Sequence, residues 1–361
     1  MIEISVVEIS VIIVSFNTRG LLRNCLESLQ QHGGHLQVIV VDNHSTDASV
    51  EMVRDEYPEV RLIANSENTG FAKANNQGIR EAQGKFVLLL NSDTVVRPGA
   101  LPAMANFLKT QPNAGGVTGR VLNADGSRQA CVSCRPGPAM LLFRLSGLSH
   151  LVRGDRGRRR LRRYLGWLLG STVRSYLDPY GVEDSALEVE NISAASLMLR
   201  REAIADVGLL DENFFMYFED IDYCMRLQGA GWKLYYLPAG EIVHLVGQSS
   251  GGRMRNYSTH SYRSLFYFYR KYYSASSLRW GRLIVLTLSS LRWLWNFGLS
   301  LVSDSSASLR NCQDLQPIIR LCCEHPTDLP SRDLSNHSTQ HEGVAVSHSA
   351  HERVSASGGS Q

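Results

Sequence analysis

The 361-residue sequence is short of most features that place a chain at sight. Its net charge is only +3, too small to argue for a nucleic-acid partner. Its seven cysteines show no disulfide-framework spacing, and a chain this long does not need one to hold a core. Cys131 and Cys134 form a C-x-x-C, but no second pair or nearby histidine completes a zinc site. A reducing, cytosolic compartment fits that usage. The N-terminal MIEISVVEISVIIVSFN has no basic n-region, and Glu3 and Glu8 break its apolar part, so it does not read as a secretory signal. The first strand–helix unit contains neither G-x-G-x-x-G nor G-x-x-x-x-G-K-[ST], which argues against dehydrogenases and P-loop enzymes. No internal repeat is visible.

What the sequence does contain is alternation. EISVIIVSFN (8–17), LQVIVVDNHSTD (36–47), VRLIANSEN (60–68) and KFVLLLNSD (85–93) read as strands. Between them, 19–31, 49–57 and 70–84 have helical apolar spacing. Continuous apolar strands alternating with amphipathic helices predict a parallel α/β sheet with both faces covered. Ligands of such sheets bind beyond the carboxyl ends of the strands. The polar strand ends at Ser15–Asn17, Asp42–Asn43 and Asn91–Asp93 are therefore expected in one crevice. Sheet-like signals resume at 186–201, a helix is expected over 218–232, and KLYYLPAGEIVHLVG (233–247) reads as a strand with its continuation.

Asn91-x-Asp93 puts two oxygen-bearing side chains on one side of an extended backbone. A hard cation takes one or two such ligands from protein and the rest from phosphate and water. The same three residues also favour a turn. Asp42 ends another strand of the sheet, where a carboxylate can accept from the N–H of a uracil or thymine ring. Asp47 suits an N-cap of the following helix. Gly70 opens the next helix, whose N-terminus suits an anion or sugar.

In order, VIIVSFN, VVDNHSTD, NTGFAKANNQGI, LLLNSDTVVRPGAL and ISAASLMLRREAIADVGLLDENFFMYFEDIDYCMRLQGAGWKLYYLPAGEIVHLVGQS closely resemble the inverting glycosyltransferases of family 2. The nearest subgroup is the rhamnosyltransferase-like enzymes of bacterial polysaccharide assembly. The resemblance implies an α/β protein of GT-A fold over 9–275, with a central, mostly parallel sheet. A Rossmann-like nucleotide-binding half (9–125) would be followed by a surface insertion (135–187) and an acceptor-binding half (188–250). Asn91-Ser92-Asp93 stands in the place of the family's D-x-D signature, so Asp93 is expected to touch Mg²⁺ or Mn²⁺. His244 would add a second metal contact. Asp42 resembles the base-recognising acid. The nucleotide-sugar pocket is expected to include Ser15, Phe16, Asn17, Asn43, Ser45, Asn68, Gly70, Phe71, Asn75, Asn91 and Ser92. Glu219-Asp220 matches the family's E-D motif, with Asp220 as catalytic base. Helix-dipole stabilisation of first-turn acids also accounts for Asp222. Relatives often carry His-His-Gly-Gly where this chain has His244-Leu245-Val246-Gly247. No Q-x-x-R-W follows, so a non-processive transferase is expected.

The implied reaction moves a sugar from a nucleotide donor, dTDP-rhamnose or a UDP-hexose, to a polysaccharide or lipid-linked acceptor. Residues 283–302 just reach bilayer-spanning length, but Arg292 sits near their middle. Arg282, Ser289, Arg292, Asn296 and Ser300 line one side, which favours an amphipathic helix (276–303) lying in the membrane surface over a spanning or a packed one. Seven arginines against one aspartate in 153–163 would add attraction to anionic lipid. The enzyme is thus expected in the cytoplasm at the inner face of the cell membrane, with a disordered tail over 304–361. Two rivals remain at this point: a non-catalytic nucleotide-sugar-binding scaffold and a sugar-1-phosphate nucleotidyltransferase. The latter should carry a Gly-rich triphosphate loop after its first strand, which VIIVSFNTRG lacks.

Overall fold

Strands β1 (Ile9–Ser15), β2 (Leu36–Asp42), β3 (Arg61–Ala64) and β4 (Phe86–Asn91) run parallel in the order β3-β2-β1-β4. β1 and β4 are short apolar runs buried on both faces, every residue of β4 from Phe86 to Leu90 being buried, whereas the edge strand β3 is exposed at Arg61 and Ala64. Alternate residues feed two separate cores. Val11, Ile13, Val40, Leu88 and Leu90 face helices α1 (Arg19–His32), α2 (Ser49–Glu56) and α4 (Ala100–Thr110). Ile12, Ile39, Val41, Val87 and Leu89 face the opposite layer, including α3 (Phe71–Glu81). The computed structural model describes residues 7–32, 34–133, 185–245, 259–302 and 306–324.

Beyond β4 the sheet changes character. After β5 (Thr94–Val96), β6 (Ala114–Leu122), β7 (Val132–Ser133), β8 (Leu187–Val189) and β9 (Asn191–Ile192), the chain enters β10 (Ser196–Arg200), which runs antiparallel between β4 and β6. Helices α5 (Arg201–Val207) and α6 (Glu219–Gly229) follow, and then the long strand β11 (Lys233–His244). β11 pairs parallel with β6 and antiparallel with β5 and β8, completing a nine-stranded sheet; β7 and β9 form a separate small pair. The α/β class and the mostly parallel central sheet expected from the sequence are present. The antiparallel strands lie in the second half, where apolar runs alone do not report direction.

β11 bulges against β6 between Leu237 and Glu241, around Pro238, whose missing N–H cannot join a ladder. The bulge brings Gly240 so close to β6 that a Cβ on Gly119 would lie 1.7 Å from the Gly240 carbonyl oxygen.

The C-terminal part differs from expectation. Helix α7 (Thr259–Tyr272) and α8 (Ala275–Val302) are followed by a third helix, α9 (Ser306–Cys323), where the sequence suggested the start of a disordered tail at 304. Cys312, Leu315, Ile318 and Cys322 recur at helical spacing and are buried. Pro317 within α9 and the Ser/His-rich stretch beyond it obscure that pattern. The arginine cluster at 153–163, Cys134, most of the insertion over 135–187 and the remainder of the tail lie outside the described residues, as does the whole of a separate unit at 331–361.

Gly119→Ala is expected to destabilise the protein by about 1–3 kcal/mol, because backbone rather than a yielding side chain meets the added methyl. Gly20→Ala, in α1 with nothing within 4 Å of the new Cβ, should be neutral or stabilising by about 0.4–1 kcal/mol. Denaturant unfolding of the two variants checks the contrast.

Candidate active site

Ser15 lies in register with Asp42, and Val14 with Asn91, so the polar ends of β1, β2 and β4 stand side by side at the carboxyl edge of the sheet. Asp42 is 1% exposed. Its Oδ1 accepts the Ser45 N–H at 2.8 Å, while its Oδ2 is buried without a hydrogen-bond partner among the described residues. A buried carboxylate oxygen left unsatisfied is costly, and a ligand donor would satisfy it. Phe16, 44% exposed, forms an apolar lip nearby in sequence.

Several residues expected to line the pocket also tie its loops together. Asn17, at φ 53°, donates its N–H to Ser45 Oγ and accepts the Thr46 N–H, each at 2.8 Å. Asn43 donates to the Gly70 carbonyl and accepts from Asn65 and Thr69. Ser15, Thr18 and Ser92 form a chain of hydroxyls at 3.0 Å spacing that joins β1 to the end of β4. Asp47, expected as the N-cap of α2, stands one residue before it: the cap position is Ala48 at φ 61°, without a side-chain cap bond, and Asp47 accepts the Ser49 and Arg19 N–H groups.

The N-terminus of α3 is closed by protein. Phe71 donates its N–H to the Phe215 carbonyl at 2.6 Å, and a Cβ on Gly70 (φ 85°) would sit 2.5 Å from that same oxygen. Asn68 accepts the Gly70 N–H, and the buried Asn75 amide bonds back to the Phe71 carbonyl. The helix end thus meets the 210–218 segment, to which Asn76 also bonds through both the N–H and the carbonyl of Leu210.

Asp93 and His244 meet at the ends of β4 and β11. They are 2% and 8% exposed, and His244 Nε2 lies 3.0 Å from Asp93 Oδ1. Asn91 Nδ2 is 3.3 Å from the same Nε2, and Gln129 Nε2 is 2.9 Å from Nδ1. Among the described residues no group of three or more His, Cys, Asp or Glu is assembled as a metal cage. One carboxylate and one imidazole nevertheless suit a divalent ion that takes its other ligands from phosphate and water. Cis ligands of an octahedral ion lie about 3.0 Å apart for bonds of ~2.1 Å, which matches the O–N separation. The donor set therefore fits.

Gln129 has no place in the sequence reading. It lies past an Asp125-Gly126 turn (Gly126 φ 78°) that folds the chain back along β6, where its N–H donates to the Val121 carbonyl. That D-G dipeptide was the available signal. Cys131, two residues on, is buried, and burial pushes its thiol up to about 11, so it is neutral at physiological pH.

Asp220 enters from α6. Its Oδ2 accepts the Ala194 N–H at 3.4 Å, and the next residue, Ala195, accepts the Asn91 N–H at 3.1 Å. The acid is thereby held next to the end of β4. Tyr217 and Phe218, immediately before α6, have φ of 69° and 70°, conformations that cost bulky side chains about 1–3 kcal/mol each. Glu219 is buried beside them at the start of the helix.

Asp222, which helix-dipole stabilisation seemed sufficient to explain, is fully buried and ion-paired. It accepts from Lys271 at 2.6 Å, Tyr272 at 2.7 Å and Arg226 at 2.9 Å. Lys271 also reaches Asp211 at 2.7 Å. Burial raises the Asp211 carboxyl, but the hydrogen bond and charge of Lys271, helped by Asn213 and Tyr267, hold it below the usual range. Burial and then Asp222 push the Tyr272 hydroxyl far above its usual value.

Residues 10–149 match the family model for Glycosyl transferase family 2. Over 259 residues, 68% of this chain and 79% of the relative, the sequence is 29% identical to an N-acetylglucosaminyl-diphospho-decaprenol L-rhamnosyltransferase of Mycobacterium tuberculosis. Over 220 residues, 60% of this chain and 44% of the relative, it is 26% identical to a poly-β-1,6-N-acetyl-D-glucosamine synthase of Staphylococcus aureus. The fold is similar to that in a crystal structure of GalNAc-T7 with UDP, GalNAc and Mn²⁺, with TM-score 0.52 at 14% identity, covering 76% of this chain and about half (49%) of that one.

Lys271→Met leaves Asp211 and Asp222 without their shared cation and should cost about 3–5 kcal/mol at pH 7. A carboxyl depressed by folding contributes stability above its unfolded pKa and loses it as pH falls through the folded value. Wild type should therefore weaken below about pH 4, near the unperturbed Asp value. The variant, its Asp211 opposed by burial and held down only by the Asn213 and Tyr267 hydrogen bonds, should lose less on acidification, so the gap narrows. Urea unfolding at pH 7 and pH 4 measures both.

Proposed function

We propose that this chain is a glycosyltransferase of family 2, rhamnosyltransferase-like, and that it transfers a single rhamnosyl or hexosyl unit from a dTDP- or UDP-activated donor to a polyprenyl-diphosphate-linked or polysaccharide acceptor, with inversion at the anomeric carbon. The observation that carries this reading is the gathering of Asp42, the Asp93–His244 pair and Asp220 about the carboxyl ends of the sheet strands. The rhamnosyl donor and the polyprenyl acceptor are suggested by the name of the mycobacterial relative.

In this reading Asp42 Oδ2 accepts the ring N–H of uracil or thymine, the one ligand group that would relieve its unsatisfied burial. Phe16 packs on the base. Asp93 Oδ1 and His244 Nε2 would hold Mg²⁺ or Mn²⁺, with the His244 ring steadied from its other nitrogen by Gln129 at 2.9 Å. The ion supplies positive charge against that developing on the departing nucleoside diphosphate. Asp220 removes the proton of the attacking acceptor hydroxyl. Its Oδ1 is aligned by the Ile221 N–H at 2.8 Å, and its Oδ2 by the Ala194 N–H. A single displacement from the face opposite the diphosphate inverts the anomeric centre.

Membrane contact belongs to the same proposal. Among the described residues no helix is long and apolar enough to cross a membrane. In α8 the polar stripe anticipated to face water turns inward. Ser289 is buried, Arg282 donates to the Leu321, Cys322 and Glu324 carbonyls at the end of α9, and Asn296 bonds Asn311. The outward face carries Trp280, Leu283, Leu291, Leu294, Trp295 and Leu301, all exposed. α8 contains three arginines and no acid. An apolar face of this kind, with tryptophans and cationic flanks, suits the interface of an anionic bilayer.

Asp220→Asn should lower the transfer rate by about 10²–10⁴-fold, the range for a general base, while leaving UDP affinity unchanged. Asp93→Ala should instead weaken Mn²⁺-dependent UDP binding. Nucleotide-sugar turnover and calorimetric binding separate the two, and wild-type behaviour in either variant removes that residue from the mechanism. Sedimentation with phosphatidylglycerol vesicles should deplete the protein from solution. Trp280→Ser with Trp295→Ser should leave most of it in the supernatant with its fold intact by circular dichroism.

A further inference from the structure

We propose that Lys271 is a positioning residue for Asp220: by bridging Asp211 and Asp222 it seats the first turn of α6, and with it the carboxylate that takes the acceptor proton. The inference rests on the assignment of Asp220 as the base.

Tyr267 and Lys271 are one helical turn apart on α7 and share a face, and Tyr272 follows directly. Tyr267 donates its hydroxyl to Asp211 Oδ2 at 2.9 Å. Lys271 Nζ reaches that same oxygen at 2.7 Å and Asp222 Oδ1 at 2.6 Å. Tyr272 donates to Asp222 Oδ1 at 2.7 Å. Asp211 precedes Asp220 in the chain and Asp222 follows it, so one ammonium spans the stretch that holds the base. A compact group with three donors suits two carboxylates at such short range.

Asp220 and Asp222 are two positions apart in the first turn of α6, about 200° around the helix axis at 3.6 residues per turn. Asp222 faces α7, while Asp220 faces the loop before β10, its Oδ2 3.4 Å from the Ala194 N–H. Lys271 therefore acts on the side of the helix away from the base, and its effect on the reaction passes through the seat of α6. That seat opposes strain. Tyr217 and Phe218 hold φ of 69° and 70° immediately before the helix, a conformation that bulky side chains keep only when their surroundings impose it. The Ala194 contact is long for a hydrogen bond, so a small rotation of α6 breaks it. The same rotation carries the carboxylate away from a hydroxyl that it must approach to about 2.6–3.2 Å.

The leading part of the segment is fastened separately on α3. Phe71 donates its N–H to the Phe215 carbonyl at 2.6 Å, and the Asn76 amide pairs with both backbone groups of Leu210. Loss of Lys271 leaves those contacts in place, and the residues it frees are the ones that carry the base. The signature is a loss of rate with donor binding kept.

The test is a double-mutant cycle in the full-length protein, read as kcat and donor KM with dTDP-rhamnose or a UDP-hexose, and as UDP affinity by calorimetry. Each variant is assayed at a temperature where circular dichroism shows it folded. Lys271→Met should lower kcat by about 10²-fold, the cost of a misplacement of about 1 Å, with donor KM and UDP affinity unchanged. In an Asp220→Asn background the same substitution should lower the residual rate by no more than about 2-fold, because groups that act as a unit are not additive. A merely structural contribution would cost the same factor in both backgrounds. Tyr272→Phe removes one donor from Asp222 and leaves every charge in place. It should lower kcat by about 10-fold, again only while Asp220 is present, and it decides the matter should Lys271→Met fail to fold. Wild-type kcat in the folded variant, or equal losses with and without the Asp220 carboxylate, overturns the inference while leaving Asp220 as the base. Wild-type turnover in Asp220→Asn, or no turnover of either donor by the wild type, overturns the reading beneath it and the inference together.

Discussion

The continuity of the main sheet depends on one strand. β10 runs antiparallel between β4 and β6, and without it the sheet would separate into a four-stranded parallel half and a second half built on β6 and β11. Two consecutive arginines pin its far end to both sides. Arg200 donates to the carbonyls of Leu108, Gln111 and Ala114, and Arg201 to those of Ala82 and Gly84. Five backbone acceptors at the ends of α3 and α4 are satisfied in this way, so the strand is fastened where the flanking helices would otherwise leave carbonyls unpaired. Its near end delivers Ala194 and Ala195 to Asp220 and Asn91.

The 211–222 segment is ordered by charge rather than by sheet. Lys271 joins Asp211, before the 212–218 segment, to Asp222, in the first turn of α6. Asp220 lies between those anchors in the chain. Over the same segment α7 contributes rings: Tyr267 packs against Phe214 at 4.8 Å, His260 stacks on Phe215 at 4.4 Å, and Phe268 meets Phe218 at 5.4 Å. These contacts offset the cost of holding Tyr217 and Phe218 at positive φ, and the strain sits directly before the proposed base. A helix beyond the matched family segment thus shapes the segment that leads into Asp220.

The same C-terminal helices explain how one element can be both packed and apolar outside. α8 spends its arginine and asparagine on α9, a polar seam between two helices, and is left with tryptophan and leucine facing outward. For a water-facing helix that arrangement is inverted.

Local order and chemistry were written in the residues themselves. Runs such as FVLLL and VIIV have to be buried on both faces, so the strand–helix alternation of the first ninety or so residues was legible, as was the fact that its polar ends share an edge. Asp42, Asp93, His244 and Asp220 stand out because carboxylates and imidazole at buried strand and helix ends need a reason. Direction, pairing and partnership were not legible. An apolar five-residue run reads the same parallel or antiparallel, so nothing in SLMLR announced β10 as the wedge between β4 and β6. Asn43, Asn75 and Ser92 carry groups that suit a ligand and a loop tie equally, and only the positions of Gly70, Phe71 and Thr18 reveal the ties they make. Gln129 stands 115 residues from the histidine it touches. Periodicity and side-chain chemistry are local properties and survive in one dimension; hydrogen-bond partners and the sense of a strand depend on contacts between distant segments, which exist only once the chain has closed on itself.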